Sequence, residues 1–220
     1  MKQILWPFLV ATTNLKKLEE LRCFLTGLPL AMETLCGLAG YQKIEETGAS
    51  FEENAERKAL GYAAQSGKMT LAEDSGLCVD ALDGAPGIYS SRYGGIEGDD
   101  ERNNRRLLEA LREVPSERRS AHYVSVIAIA EPGRLIGTVR GEVHGRIAES
   151  PQGSNGFGYD PLFYYPDFRQ TFGQAAPERK AKVSHRARAY EKAKELLERY
   201  LPEAFLKGDR DSGGVGNGGR

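Results

Sequence analysis

Carboxylates stand in two short acidic motifs that could serve phosphoryl chemistry. The motifs are EETG at residues 45–48 and EDSG at residues 73–76. Mg²⁺ is commonly held by one or two protein carboxylates together with water and substrate phosphate oxygens, and it neutralises charge on a polyanion. Asp74 follows the apolar run TLA and would be held at the end of a buried strand. Asp-Ser-Gly is equally typical of a surface turn, so these residues alone leave both interpretations open.

A second motif has the residue types of a phosphate-binding loop. Residues 12–17 are predicted between the carboxyl end of a strand and the start of a helix, where free N–H groups and the helix dipole favour anions. The glycines of a Walker A loop are missing. Taken alone, the motif is better explained as an Asn N-cap with solvated lysines. The candidate phosphate ligands are Thr12, Thr13, Asn14, Leu15, Lys16 and Lys17.

Two further motifs could recognise a purine base. Glycines flank Phe157 in the run GFGYDP at 156–161, so the backbone can approach a flat ligand and the ring can stack on it. Alternatively, the run is a glycine-rich turn whose aromatic side chains cover the hydrophobic core. Ser184 is a predicted N-cap, which places His185 and Arg186 in a first helical turn where they oppose the dipole. Together with Lys180 they offer donors to the O6 acceptor of a 6-keto purine.

Ser75 raises the question of a serine hydrolase. The nucleophile elbow of those enzymes requires a glycine two residues before the serine, and Glu73 stands there. We therefore interpret Ser75 as a hydrogen-bond donor to substrate.

The periodicity of the chain predicts the elements that position these motifs. We expect a strand at 8–12 and a helix after it, a capped helix from Ser50 to Gly67, strands at 69–72 and 77–79 on either side of the acidic motif, and a helix at 99–114. A β-hairpin is predicted at 122–147 around Pro132-Gly133, and a last helix at 187–201 ends at Pro202. This order predicts one α/β domain over 1–207, followed by a disordered Gly-rich tail at 208–220.

Composition excludes several classes of protein. The 220 residues carry 30 basic and 31 acidic side chains, so no global positive field favours a nucleic-acid polymer. The cysteines are isolated and odd in number, which is typical of a reducing, cytoplasmic location and argues against zinc or disulfides. No apolar run is long enough to cross a membrane, and Pro7 interrupts the apolar start.

Taken together, the motifs resemble those of the inosine/xanthosine triphosphate pyrophosphatase family. The family pattern [ST]-x-N-x-x-K matches residues 12–17, and the other blocks follow in the family's order. The matching blocks are TTNLKK at 12–17, EETG at 45–48, FEENA at 51–55, EDSGL at 73–77, GAPGIYSSRY at 84–93, GFGYDP at 156–161 and SHR at 184–186.

The resemblance implies an elongated mixed sheet flanked by helices, with two lobes around a central nucleotide cleft, a homodimer, and Mg²⁺. Residues 12–17 would hold the triphosphate, with Lys17 as the main charge. Glu45 and Asp74 would ligate Mg²⁺, and Asp74 would activate water. The implied substrate and base contacts are Ser75, Phe157, Gly158, Tyr159, Asp160, Lys180, His185 and Arg186.

The expected activity is hydrolysis of ITP, dITP or XTP to the monophosphate and pyrophosphate. A non-catalytic nucleotide sensor is the main alternative, although it would not need Glu45 and Asp74 near a phosphate loop. A single-strand nucleic-acid binder would need a continuous basic groove, which Glu178 and Glu191 interrupt. A pyrophosphatase for other modified nucleotides also stays open, and the residues do not explain rejection of GTP.

Overall fold

The computed structural model describes residues 5–13 and 15–201, with only the backbone at residues 15 and 16. Several predicted features therefore lie outside the described residues. They are Asn14, the side chains of Leu15 and Lys16, the stop at Pro202, the domain end at 207 and the tail at 208–220.

The described chain is built on one mixed sheet of seven strands in the order β2-β1-β3-β4-β5-β6-β7. Strands β1 and β2 are parallel, as are β1 and β3, and the later neighbours are antiparallel. This arrangement confirms the predicted α/β class and the predicted hairpin. The strands are β1 (Trp6–Val10), β2 (Leu30–Thr34), β3 (Met69–Val79), β4 (Ser120–Glu131), β5 (Arg134–Ile147), β6 (Phe163–Tyr165) and β7 (Gln170–Thr171).

Helices cover both faces of this sheet, and their caps follow the sequence. The Ser50 side chain accepts from the Glu53 N–H, and Gly67 ends the same helix with φ of 68°. Ser184 likewise caps the last helix, as predicted, and the helix begins at His185, two residues before the start of the range that periodicity predicted. The helices are α1 (Leu15–Phe24), α2 (Phe51–Ser66), α3 (Asp100–Ala110), α4 (Pro177–Ala181) and α5 (His185–Tyr200).

The prediction of two strands separated by an acidic turn is wrong. Strand β3 runs unbroken through the EDSG motif, and each residue of the motif pairs with a residue of β4, from Glu73 opposite Ile127 to Gly76 opposite Val124. Asp74 is therefore in the middle of a strand and does not face a turn. The local preference of Asp-Ser-Gly for a turn is overridden by pairing with an apolar partner strand along its full length.

Alternation along β3 separates the motif onto the two faces of the sheet. Two apolar clusters lie on one face, one containing Met69 and Leu71 and the other containing Leu77 and Val79. Glu73 and Ser75 fall between these clusters on that face. Asp74 and Gly76 point to the opposite face, which α2 covers. The acidic motif is thus a polar interruption within the core strand.

One edge of β3 is open beside this interruption. Strand β1 pairs with β3 only as far as Leu71, and the Ser90 hydroxyl takes up the Leu77 N–H further along. Among the described residues no strand pairs with β3 on this side between those two positions. A ligand at this edge can therefore reach side chains from both faces of the sheet.

Gly76 provides a stability test of this packing. A Cβ at this position would lie 2.4 Å from the Gly87 carbonyl oxygen and 2.5 Å from the Ser90 hydroxyl. We expect Gly76→Ala to lower the free energy of unfolding by about 2 kcal/mol through overpacking. The matched control is Gly37→Ala, where a Cβ has nothing within 4 Å. Urea unfolding of both variants checks the prediction, and equal stabilities would contradict it.

Candidate functional site

An acidic centre lies on the α2 face of β3. The Lys58 ammonium donates to Glu46 Oε1 at 2.6 Å, to the Glu73 backbone oxygen at 2.8 Å and to Asp74 Oδ1 at 3.3 Å. The Asn54 side-chain amide donates to the other Asp74 oxygen at 3.3 Å. Asn54 and Lys58 are four residues apart on α2, so both project from the same face of that helix. Asp74 is thus held by groups on a rigid helix.

Burial and charge act against each other in this centre. Burial raises the pKa of the Asp74 carboxyl above its ordinary value, although the Lys58 ammonium opposes the rise. Burial also opposes charge on Lys58, but the carboxylates of Asp74 and Glu46 raise the pKa of this lysine above its ordinary value. The result is a charged lysine next to an unusually basic aspartate.

The structure brings Glu46 into this centre, whereas Glu45 was the sequence-predicted metal ligand. Glu45 is exposed, and its neighbour Glu46 forms the ion pair with Lys58 and lies 4.0 Å from Arg92. Lys58 is the functional candidate that the sequence analysis missed, whereas Glu46 was part of the acidic motif but was not chosen as the metal ligand. The spacing of Asn54 and Lys58 on an alanine-rich, buried helix face was the available signal.

A second charged centre lies on the opposite face of the same strand. The Glu73 side chain is only 8% exposed, and its carboxylate accepts from Arg186 Nε at 2.8 Å and from the Ser125 hydroxyl at 3.0 Å. The Lys17 ammonium lies 3.5 Å from the other Glu73 oxygen. Arg186 also donates to the Ser75 hydroxyl at 3.2 Å. One carboxylate therefore joins the predicted phosphate loop to the predicted base pocket.

The Glu73 carboxylate is held in its charged form. Burial disfavours the charge, but Arg186 and Lys17 outweigh burial and hold the pKa of this carboxyl far below its ordinary range. Burial also lowers the pKa of Lys17, with partial compensation by Glu73. Because Lys17 is already near a carboxylate, an incoming polyphosphate would compete with Glu73 for it.

The described residues of the loop after β1 lie beside Glu73. Thr12 and Lys17 line a cavity of about 40 Å³ together with Glu73, where β1 has ended and α1 begins. Thr13 is exposed. Strand β1 ends two residues earlier than predicted, which leaves both threonines in the loop.

The predicted base contacts surround a larger cavity of about 190 Å³. Its wall includes Lys17 and Ser75 at one end and Phe157 at the other. The remaining predicted residues that line it are Gly158, Tyr159, Asp160, Lys180, His185 and Arg186. A second cavity of about 230 Å³ shares Phe157, Lys180, His185 and Arg186 with the first, so the phenyl ring lies between the two spaces.

Aromatic rings and cations alternate in this pocket. The Phe157 ring lies 5.0 Å from the Lys180 ammonium and 5.0 Å from the Arg186 guanidinium. His185 is buried, stacks on Tyr123 with ring centroids 4.8 Å apart, and leaves its Nδ1 without a partner among the described residues. Burial lowers the pKa of this imidazole well below its ordinary value, so it is neutral at neutral pH.

Asp160 and Tyr159 organise the loop. The buried Asp160 carboxylate accepts from the Phe157 N–H at 2.9 Å and forms an ion pair with Lys180. The Tyr159 hydroxyl donates to the Ser90 carbonyl oxygen at 2.8 Å. The structure therefore assigns Lys180 a partner within the loop, in addition to its place in the pocket wall.

These features define an α/β protein in which a lysine-bearing loop, a carboxylate–lysine centre and an aromatic pocket with cationic side chains lie around one open strand edge. Residues 8–196 match the sequence profile of the Ham1 family. The chain belongs to the Ham1 family, and the resemblance stated from the motifs is confirmed. No helix among the described residues has the length and apolar character needed to cross a bilayer.

Curated relatives and solved structures agree with this assignment. A dITP/XTP pyrophosphatase of Desulforamulus reducens is 45% identical over 190 residues, which cover 86% of this chain and 94% of that protein. One from Nocardia farcinica is 48% identical over 205 residues, covering 92% and 96%. A HAM1 protein structure from Coxiella burnetii has a TM-score of 0.83 at 37% identity and covers 89% of this chain and all 100% of that one.

Replacement of Glu73 tests the buried charge cluster. We expect Glu73→Gln to lower the free energy of unfolding at neutral pH by about 3 kcal/mol, because Arg186 and Lys17 lose a buried counter-charge. A carboxyl with a depressed native pKa stabilises the fold above its unfolded pKa and loses this effect as pH falls. The unfolded pKa of a glutamate is about 4.3. The difference in the free energy of unfolding between Glu73→Gln and the wild type should therefore be smaller at about pH 3 than at neutral pH.

Urea unfolding at both pH values is the measurement. The control is Glu101→Gln, whose exposed carboxylate pairs only with Arg105 on the surface in the described structure and should leave stability unchanged. If Glu73→Gln lowers the free energy of unfolding by the same amount at both pH values, the depressed pKa of Glu73 is contradicted.

Proposed function

We propose that this chain hydrolyses damaged-purine nucleoside triphosphates, namely ITP, dITP and XTP, to the nucleoside monophosphate and pyrophosphate. The observation that carries the proposal is that one strand, β3, carries the Asp74–Lys58 centre on one face and, on the other face, Glu73 and Ser75, which line the cavities beside Lys17 and the aromatic pocket. The relatives named dITP/XTP pyrophosphatases support the choice of substrate.

Recognition of the triphosphate rests on the loop after β1. Lys17 supplies charge, the start of α1 supplies backbone N–H groups, and the Thr12 and Thr13 hydroxyls are neutral donors. Glu73 holds the Lys17 ammonium at this loop, and the triphosphate would compete with Glu73 for it. In this proposal Asn14 and Lys16 complete the loop.

Recognition of the base rests on Phe157 and the donors around it. The exposed ring of Phe157 offers a stacking surface, which is worth about 1–3 kcal/mol for a nucleobase. Arg186 and Lys180 offer N–H donors to the O6 acceptor of a 6-keto purine, and adenine presents a donor there instead. The pocket thus favours ITP and XTP over ATP.

In the proposed reaction, water attacks the α-phosphorus and pyrophosphate leaves. Asp74 accepts the proton of the attacking water, for which its raised pKa suits it. Lys58 holds the Asp74 carboxylate in place and keeps positive charge beside it. Lys17 stabilises negative charge on the leaving pyrophosphate.

The residues present fit a magnesium ion by their donor chemistry. Among the described residues no three His, Cys, Asp or Glu side chains form a ready-made metal cluster, but Mg²⁺ needs only one or two carboxylates besides water and phosphate oxygens. Asp74 would hold it together with Glu45, and Glu46 is the nearer acidic neighbour. When bound, the ion would neutralise charge on the triphosphate.

We also propose, from the family resemblance, that the protein is cytoplasmic and forms a homodimer.

A nucleotide sensor is the alternative class. Such a protein would use the pocket and the phosphate loop, but it would gain nothing from a buried carboxylate with a raised pKa next to them. This observation favours an enzyme.

The direct test is product analysis with ITP, XTP, GTP and ATP in the presence and absence of Mg²⁺. We expect pyrophosphate with IMP or XMP, formed only with Mg²⁺ and much faster than AMP or GMP. Phosphorus NMR identifies the products. Orthophosphate with IDP would contradict attack at the α-phosphorus, and tight ITP binding without turnover would favour the sensor.

Replacement of Asp74 tests the proposed base. We expect Asp74→Asn to lower kcat by at least about a hundredfold while ITP binding persists, because the amide cannot accept the proton. Asp80→Asn, an exposed change just after the same strand, is the control. Retained turnover by Asp74→Asn would remove this residue from the mechanism.

A further inference from the structure

Helix α3 holds both hydrogen-bonding groups of one glycine in the base-binding loop. The Asp100 carboxylate accepts from the Gly158 N–H at 2.6 Å, and the Asn104 side-chain amide donates to the Gly158 carbonyl oxygen at 2.9 Å. Asp100 and Asn104 are four residues apart, so they share one face of α3. Neither residue belongs to the motifs that predicted the site.

The backbone around Phe157 needs such an external constraint. Gly156 and Gly158 flank it with φ of 78° and 63°, in a region that glycine enters and leaves at little energetic expense. Asp160 fixes the peptide on the N-terminal side of Phe157 by accepting its N–H. The contacts from α3 fix the groups of the following residue. The orientation of the Phe157 ring therefore depends on hydrogen bonds at both ends of the tripeptide 156–158. We call the two hydrogen bonds from α3 to Gly158 the clamp.

The chemistry of Asn104 points to a specific use of its amide. Its Oδ1 is buried and has no partner among the described residues. A buried, unpaired carbonyl oxygen lowers stability, so an apolar side chain of similar size would suit packing better. The N–H donated to Gly158 is the one function of this amide that the described structure shows.

We propose that Asp100 and Asn104 are positioning residues that preset the Phe157 stacking surface for the base. This inference rests on the proposed function, because it assigns these residues to recognition of that substrate. Asp100 also borders the base cavity itself. Asp74 and Lys58 lie on a different helix–strand contact, so the clamp acts on substrate affinity and leaves the chemical step intact.

The test compares Asn104→Leu with Arg105→Ala, a change on the exposed side of the same helix. Leucine keeps the number and branching of the heavy side-chain atoms of Asn104, removes the donor and removes the buried unpaired oxygen. We expect KM for ITP to rise about fivefold, the effect of one lost hydrogen bond, while kcat stays within about twofold and thermal stability is equal or higher. Arg105→Ala should change none of these values.

Two variants of Asp100 with different expected effects on KM test the other hydrogen bond of the clamp. Asp100→Asn keeps an acceptor oxygen at the same place and should raise KM less than Asp100→Ala does. Hydrogen exchange of the peptide at residues 155–160 should accelerate in Asn104→Leu and in Asp100→Ala. This readout does not require turnover.

The outcomes separate the two proposals. If the wild type does not hydrolyse ITP, the proposed function fails, and the exchange data still decide whether α3 clamps the loop. If Asn104→Leu lowers kcat and kcat/KM equally, or leaves both KM and exchange unchanged, the positioning role is overturned.

Discussion

The buried ion pair between Glu73 and Arg186 is the constraint on which the rest of the site depends. The two residues are 113 positions apart, and both are almost fully buried. A buried charge without a partner is strongly unfavourable, so α5 must dock with its first turn against the middle of β3. That docking carries His185 and Lys180 to the same place. Lys17 contacts the same carboxylate, so the loop after β1 is linked to this ion pair as well.

The period of a β-strand then divides the chemistry between two faces. Glu73 and Asp74 are neighbours in sequence, yet their side chains point to opposite sides of the sheet. One side gathers the cations that would meet phosphate and base, and the other gathers Lys58, Asn54 and Glu46 from α2 and its approach. A substrate can use both sets only where the strand edge is uncovered, and β1 leaves that gap by pairing no further than Leu71. The early end of β1 is therefore as important to the site as any single side chain.

The sequence predicted features with local causes and missed those with tertiary causes. Ser50 and Gly67 delimit α2 through hydrogen bonds and backbone freedom within a few residues, so both were predictable. The continuity of β3 was missed because pairing with β4 overrides a local turn preference. Lys58 and Asn104 were missed for another reason, since a polar residue on a helix is ordinarily solvated. Only the packing of α2 and α3 against other elements shows that these side chains have buried partners.

Environment, more than residue type, decides which of the two adjacent carboxylates can exchange a proton. Arg186 and Lys17 hold Glu73 in its anionic form far below neutral pH, and a carboxylate so stabilised is a poor proton acceptor. Burial moves the pKa of Asp74 in the opposite direction, although Lys58 limits the rise. Pairs of titratable groups whose surroundings separate their pKa values commonly divide structural and catalytic roles. On this argument Glu73 organises the cations and Asp74 is the group suited to accept a proton from water, although both stand in the same strand.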